Sequence, residues 1–345
     1  MRIRQWDGVR AVAILLVFGE HAFGLKMGWA GVDLFFVLSG LLITRILRQD
    51  RDTPSFWSRF YLKRAARILP PLAILFLVCS FYPLHPGQWL GVIFFASNFV
   101  RVFGSDIHNP VVITWSLAIE EQFYLFWPFA VRFLNTRQLT RLLVAILVIE
   151  PLLRGIATPF IQDYFTIYYL TPFHIDGLAL GSLIAVLLEN ERAKARLTLL
   201  APRIFLASMA CLLGGMAFFP WFRRPANSIV FNSLGYTLVI LASASLICYT
   251  LLHEKATVTK ILSLRGLTVL GTISYGVYLY HGIFIDMVTV HGHLLASRLL
   301  AFVGVTVYCW LSFKFYEQPM IRWAHMVVKE RLPSRVHSVE GTVAG

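Results

Sequence analysis

WAGVDLFFVLSGLLITRI, residues 29–46, reads as a membrane span. As a helix it would rise about 27 Å at 1.5 Å per residue, close to the ~30 Å hydrocarbon core of a bilayer. It holds one acid near its start, Asp33, and no base before Arg45. Apolar stretches of similar kind recur on both sides of it. They lie at about 9–25, 69–84, 88–103, 113–133, 142–161, 173–189, 204–221, 229–252, 267–288 and 297–317. A bilayer admits only helices or closed barrels as spanning structures, and runs of this length predict helices.

Composition points the same way. Of the 345 residues 57% are hydrophobic and only 14% charged, with a mean hydropathy of +0.68. A soluble domain carries about a quarter charged residues, so this chain has too few to cover a water-facing surface. The net charge of +13 is not gathered on one face or in one tail, which argues against a nucleic-acid partner. Its bases stand in short clusters between apolar runs, the pattern of cytoplasmic loops. Cys79, Cys211, Cys248 and Cys309 are scattered within apolar stretches and read as small buried hydrophobes, so no metal site is expected. Met1–Gly24 imitates a signal peptide but lacks an A-x-A-like cleavage site, and it is expected to be retained as the first helix.

The densest basic cluster, Arg45, Arg48, Arg51, Arg59, Lys63, Arg64 and Arg67, separates the second and third runs and should be cytoplasmic. Treating 88–103 as a re-entrant or interfacial piece then brings three further basic clusters and the basic tail to the same side. Only Arg223 and Arg224 are left outside. The expectation is an all-α integral membrane protein, a polytopic bundle of about ten transmembrane helices with cytoplasmic N- and C-termini. Residues 1–320 would form one transmembrane domain and 321–345 a short basic, polar cytoplasmic tail.

Ionisable groups inside spans are costly and are functional suspects by default. His21 lies in the first run, eleven residues or ~16 Å of helix beyond Arg10. Asp33 opens the second run, where it could cap the helix or orient His21. Glu120 and Glu121 sit side by side in the 113–133 run, and Glu120 is the better candidate to face a pocket. His174 and Asp176 begin another run, and His281 lies deep in Tyr275–His281. In the ten-span arrangement these acids and histidines fall in the outer half of the bilayer, whereas Arg10, Arg64 and Arg67 fall at the inner face. That partition suits group transfer. A histidine base is matched to neutral pH for removing a hydroxyl proton, and paired arginines such as Arg64 and Arg67 at i and i+3 suit a phosphate-bearing donor. His291 and His293 read as solvated residues of a short outer loop. His281 and Asp286 form an H-x4-D spacing that arises easily by chance, and no nucleophile elbow of G-x-S-x-G type is present.

Several ordered motifs resemble those of the membrane-bound acyltransferase family 3, which includes sugar O-acetylases. Arg10 with ten residues before His21, Gly31–Gly40, Phe60–Pro70 with its Arg64-x-x-Arg67, Trp115–Pro128, Tyr275–His281 and Glu317–Pro319 occur in the family's order from Trp6 to about Met320. The resemblance implies a membrane-embedded O-acyltransferase of a bacterial-type inner or plasma membrane. It would move an acyl group, commonly acetyl, from acetyl-CoA or another acyl-CoA to a hydroxyl of an envelope or exported carbohydrate. It further implies His21 as the essential histidine and Arg64 and Arg67 as handling the donor. By their own placement, Asp33 and Glu120 are read as catalytic neighbours of His21, Arg10 as a further donor contact, and Glu121, His174, Asp176 and His281 as lining the acceptor side. Whether His21 acts as a base or carries the acyl group covalently is left open by the residues. The rival readings are a transporter or flippase of an acylated or sugar-linked molecule, and an O-acyltransferase of a secondary metabolite. Against the transporter, the chain shows no paired Gly/Pro-broken segments in two matching halves.

Overall fold

The computed structural model describes residues 3–104, 110–289 and 295–332. His291, His293 and the tail from 333 onward lie outside the described residues. In chain order the helices are α1 (Arg4–Phe23), α2 (Ala30–Asp50), α3 (Phe56–Cys79), α4 (Pro86–Ile93), α5 (Ser97–Phe103), α6 (Thr114–Phe133), α7 (Thr136–Ala157) and α8 (Tyr164–Tyr169). They continue as α9 (Asp176–Leu187), α10 (Glu191–Phe218), α11 (Tyr236–Leu252), α12 (Thr257–Leu262), α13 (Arg265–Thr272), α14 (Ser274–Thr289), α15 (Leu295–Ser312) and α16 (Gln318–Arg331). No strand occurs among the described residues.

Five of these helical stretches are long and apolar enough to cross a bilayer: Ala30–Asp50, Thr136–Phe160, Glu191–Phe218, Phe231–Leu252 and Leu295–Arg331. A sixth arises if Arg265–Thr272 and Ser274–Val288, bent by 75° at Ile273, count as one broken span. The 267–288 run is therefore not one straight helix. The 88–103 run divides into α4 and α5, of eight and seven residues. The 173–189 run yields only the twelve residues of α9, whose rise of about 18 Å falls short of a bilayer core. The 297–317 run continues past its predicted end, through a π-turn at Phe313–Glu317 into α16, so the tail region is helical as far as Arg331.

Burial sorts the apolar helices into a jacket and a centre. Within an apolar 18-residue window of each, only 17–22% of the residues are buried in Thr136–Phe160, Glu191–Phe218 and Leu295–Arg331, against 61–67% in Phe231–Leu252 and Ala30–Asp50. Leu199, Leu206 and Leu213, seven apart along α10, are all exposed, as a lipid-facing stripe should be.

The centre is held by close backbone approach. A Cβ at Gly181 of α9 would lie 1.9 Å from the Val37 carbonyl oxygen of α2, and one at Gly40 would lie 2.0 Å from that of Leu178. Only glycine permits the two helices to touch at this distance, the small-residue packing typical of membrane bundles. At the other side, α14 is tied to α3 through its tyrosines. Tyr275 donates to the Ile68 carbonyl at 3.3 Å and Tyr280 to that of Pro71 at 2.6 Å.

Candidate active site

A narrow cavity of about 120 Å3 opens among α1, α2, α3, α6 and α14. Its polar lining comprises Arg10, Ser39, Arg64, Arg67, Ser116, Glu120, Tyr124, Ser274, Tyr275 and Tyr278, with Val32, Phe35 and Phe36 among the apolar walls. The three arginines arrive from two helices and are braced differently. Arg10 pairs with Asp7 one turn earlier, at 2.8 Å. Arg64 lies over the Tyr124 ring at 5.2 Å. Arg67 donates to the Thr272 carbonyl at 3.2 Å, at the bend before α14, and lies over Phe313. Bracing of this kind leaves guanidinium edges to meet an anion in a fixed geometry. Of the adjacent glutamates, Glu120 lines the cavity. Glu121 does not, and its Oε1 is buried without a partner among the described residues.

Because α1 is continuous from Arg4 to Phe23, Arg10 and His21 stand in a definite relation. Eleven residues at about 100° each make three turns and about 20°, so both side chains leave one face of the helix, ~16 Å apart. A left-handed Gly24 (φ 68°) ends the helix three residues after His21, with the Leu25 N–H closing on the Gly19 carbonyl. His21 is exposed, and its Nδ1 donates to the Val17 carbonyl at 2.9 Å. A carbonyl can only accept, so Nδ1 bears the hydrogen and Nε2 keeps its lone pair when the ring is neutral.

The matching face of α14 carries Ser274 and Tyr278, then His281 one turn further. Ser116 donates to the Tyr278 hydroxyl at 2.6 Å, and that hydroxyl donates to the Ile113 carbonyl at 3.2 Å. The Tyr278 carbonyl accepts from His281 Nδ1 at 2.7 Å. The His281 ring is buried, with centroid 4.9 Å from that of His21, and its Nε2 has no partner among the described residues. Two imidazoles, each with Nδ1 tied to its own helix, thus meet near the end of α1, separated from the arginine-lined cavity by the buried side chains of Ile14, Val17 and Phe18.

The remaining predicted site residues lie elsewhere. Asp33 does not orient His21. Its Oδ1 meets His174 Nε2 at 2.9 Å, both groups buried between α2 and the start of α9. His174 Nδ1 donates to the Tyr168 carbonyl at 2.5 Å, so the pair needs a second proton shared between Nε2 and the carboxylate. Asp176 is likewise internal, in an ion pair at 2.8 Å with Arg154, which is itself wholly buried and also faces Glu150 at 3.4 Å. His174 and Asp176 therefore present no open face to a substrate. They pin α9 to α2 and α7. Sequence reasoning missed Arg154, although Glu150 and Arg154 at i and i+4 within an apolar run were a visible signal. Ser39, Ser116, Tyr124 and Tyr278 were also missed, because hydroxyls in apolar runs carry no spacing signature. Among the described residues no group of three or more His, Cys, Asp or Glu side chains is placed to hold a metal.

A multi-pass helical membrane protein with a basic cavity at one end and paired histidines at the other is the class these features define. Residues 3–316 match the family model described as an acyltransferase domain, and the chain belongs to that family. Among curated relatives it is 28% identical over 348 residues to the peptidoglycan O-acetyltransferase OatA of Listeria monocytogenes, covering 91% of this chain and 55% of that protein. It is 28% identical to the O-acetyltransferase OatA of Staphylococcus aureus, covering 91% of this chain and 56% of the relative. With the putative peptidoglycan O-acetyltransferase YrhL of Bacillus subtilis it shares 29% identity, at 91% and 54% coverage. The chain thus spans about half the length of the curated relatives it matches. No solved structure matches it.

Proposed function

We propose that this chain is a membrane-embedded O-acyltransferase that moves an acyl group, acetyl by analogy with its relatives, to a hydroxyl of a cell-envelope polysaccharide. The observation that carries the reading is the shared face of Arg10 and His21. It sets a cavity lined by three arginines and a histidine whose Nδ1 is tied to its own helix ~16 Å apart along α1. An acyl-CoA donor would seat its phosphates against Arg10, Arg64 and Arg67, with its thioester arm reaching along α1 and α14 toward His21. There Nε2 takes the proton of the acceptor hydroxyl as that oxygen attacks the thioester carbonyl carbon. The C–S bond breaks, the new ester forms, and the thiolate recovers the proton from the imidazolium. Glu120, beside the Ser39 hydroxyl in the cavity, would order the donor arm. Glu121, set just outside that cavity, would act on it only through its neighbour. His281 borders the acceptor position. Asp33, His174 and Asp176 hold the frame.

The same reading assigns the chain to the inner or plasma membrane, with about ten membrane-embedded segments and both termini cytoplasmic. Residues 1–320 would be the catalytic membrane domain and 321–345 the tail. The test is mass spectrometry of envelope glycans from cells carrying the intact gene, a deletion, or a His21→Ala protein inserted at normal level. Loss of one acyl increment in both altered strains supports the reading. An increment kept by His21→Ala refutes the mechanism, and no acyl change on deletion refutes the function.

A further inference from the structure

A second opening, about 790 Å3 in volume, is lined by Glu20, Lys26 and Trp29 of the α1–α2 region, by Met216 near the end of α10, and by Arg223 and Arg224 of the loop that follows. Its three cations face a single acid. Arg224 pairs with that acid, Glu20, at 3.5 Å and is boxed by the rings of Trp29, Tyr164, Phe165 and Tyr168, at 4.8 to 5.9 Å. Its Nη1 is buried without a hydrogen-bond partner among the described residues, whereas buried polar groups ordinarily have one. Lys26 and Arg223 are exposed and left over once Glu20 is engaged. Arg223 is steadied by a bond from Nε to the Met216 carbonyl at 3.1 Å.

The opening borders the surface that faces lipid. α10 bears the exposed stripe Leu199, Leu206 and Leu213, and the chain continues from its end through Phe218, Phe219 and Trp221, all exposed. From Leu206 to Met216 the helix rises ~15 Å, half the ~30 Å hydrocarbon core of a bilayer. A phospholipid whose phosphate sits in the opening would therefore lay one leaflet's length of chain along the stripe. Tryptophan and tyrosine at the rim, here Trp29, Tyr164 and Trp221, are the side chains that gather at headgroup depth. On the topology proposed above, Arg223 and Arg224 are also the bases that break the positive-inside pattern, and a bound anion accounts for their being kept. We propose that this opening binds the phosphate of an anionic phospholipid, which Lys26 meets from the α1–α2 connection and Arg223 from the loop after α10. Glu20 holds Arg224 in its aromatic box behind them. The lipid ties the α1–α2 connection to a jacket helix, and its binding does not depend on the reaction assigned to the chain.

The experiment uses the purified full chain in a neutral maltoside detergent and native mass spectrometry, with phosphatidylglycerol and phosphatidylcholine of matched chains as probes. The anionic lipid should be retained about tenfold more tightly than the neutral one, the scale of two partly screened cation contacts. Lys26→Gln alone should cut that preference about threefold. The double variant Lys26→Gln/Arg223→Gln, altered only at exposed positions, should bind both lipids alike. Arg192→Gln/Arg196→Gln, altered at two exposed positions near the other end of α10, should keep the preference in full. Equal retention of the two lipids by the unaltered chain overturns the proposal without recourse to any variant. So does a preference that survives the Lys26/Arg223 double substitution, or one that falls equally in the Arg192/Arg196 control. Glycerophosphoglycerol, the same headgroup without chains, forms the last arm. If it displaces the lipid at equal concentration, the opening takes a soluble phosphodiester and the lipid assignment falls.

Discussion

Replacing His21 with alanine separates chemistry from folding in this bundle with little interference. The ring is exposed, makes one hydrogen bond, and that bond runs to Val17 on its own helix one turn back. Losing an exposed bond of this kind costs at most about 1 kcal/mol, so insertion and stability should hardly change. Loss of a positioned base, by contrast, lowers turnover by about 10²- to 10⁴-fold, or roughly 2.7–5.5 kcal/mol of barrier. The donor's proposed anchors, Arg64 and Arg67, line the cavity that also holds Arg10, ~16 Å along α1 from His21, so the KM for acyl-CoA should stay within about twofold. The assay is transfer of labelled acyl groups from acyl-CoA to glycan by membranes holding equal amounts of each protein. A variant that retains turnover, or one that loses only donor affinity, would refute the placement of the chemistry at His21.

Other substitutions probe the remaining parts. Arg64→Ala and Arg67→Ala should each raise the KM for acyl-CoA by about ten- to a hundredfold through loss of a charge-assisted contact, with kcat much less affected; steady-state kinetics against donor concentration decides this. His281→Leu should lower kcat about tenfold, and His281→Gln, which restores an acceptor atom at the buried site, should recover most of it at unchanged donor KM. Gly181→Ala must push a methyl into the Val37 carbonyl and should destabilise the detergent-solubilised protein by about 1–3 kcal/mol, whereas Gly214→Ala, with open space around it, should be neutral or slightly stabilising. Arg154→Met leaves Asp176 and Glu150 buried without their cation and should cost about 3–5 kcal/mol, visible as loss of monodisperse protein.

Much of the bundle was legible in the sequence, because apolar length is a local property. The stretch 29–46 becomes α2, and 229–252 becomes a helix from Phe231 to Leu252. That Arg64 and Arg67 share a face, as do Arg10 and His21, was also legible, since each pair lies within a single helix, where counting residues gives direction. What could not be read were pairings between helices. Asp33 lies 141 positions from His174 in the chain, and no periodicity within α2 tells which neighbour its carboxylate will meet. The 75° bend at Ile273 escaped for a related reason. Ile273 is apolar and gives no local signal, and the Thr272 carbonyl at the bend meets Arg67 of α3, a residue 205 positions away in the chain.

The helices that fail the test for an apolar span are informative in themselves. α1 carries Arg10 and Glu20, α3 carries Lys63, Arg64 and Arg67, and α6 carries Glu120 and Glu121. Each is too charged to face lipid, yet these three helices, with α2 and α14, wall the arginine-lined cavity. The three least buried helical stretches, Thr136–Phe160, Glu191–Phe218 and Leu295–Arg331, contribute nothing to that cavity. An isolated charge at the bilayer centre is expensive, by about 2.5–3.5 kcal/mol on insertion scales. Helices such as α1 and α3 therefore become tolerable only once surrounded by others that can face the acyl chains. The site is thus the reason a jacket is needed. The buried Asp33–His174 and Arg154–Asp176 pairs fit the same logic, since they join α2, α7 and α9, which connect the jacket to the cavity wall. A protein built only to span a membrane would have no use for these charges, whereas one that must hold an anionic donor at one end and a basic nitrogen at the other cannot do without charges of this kind.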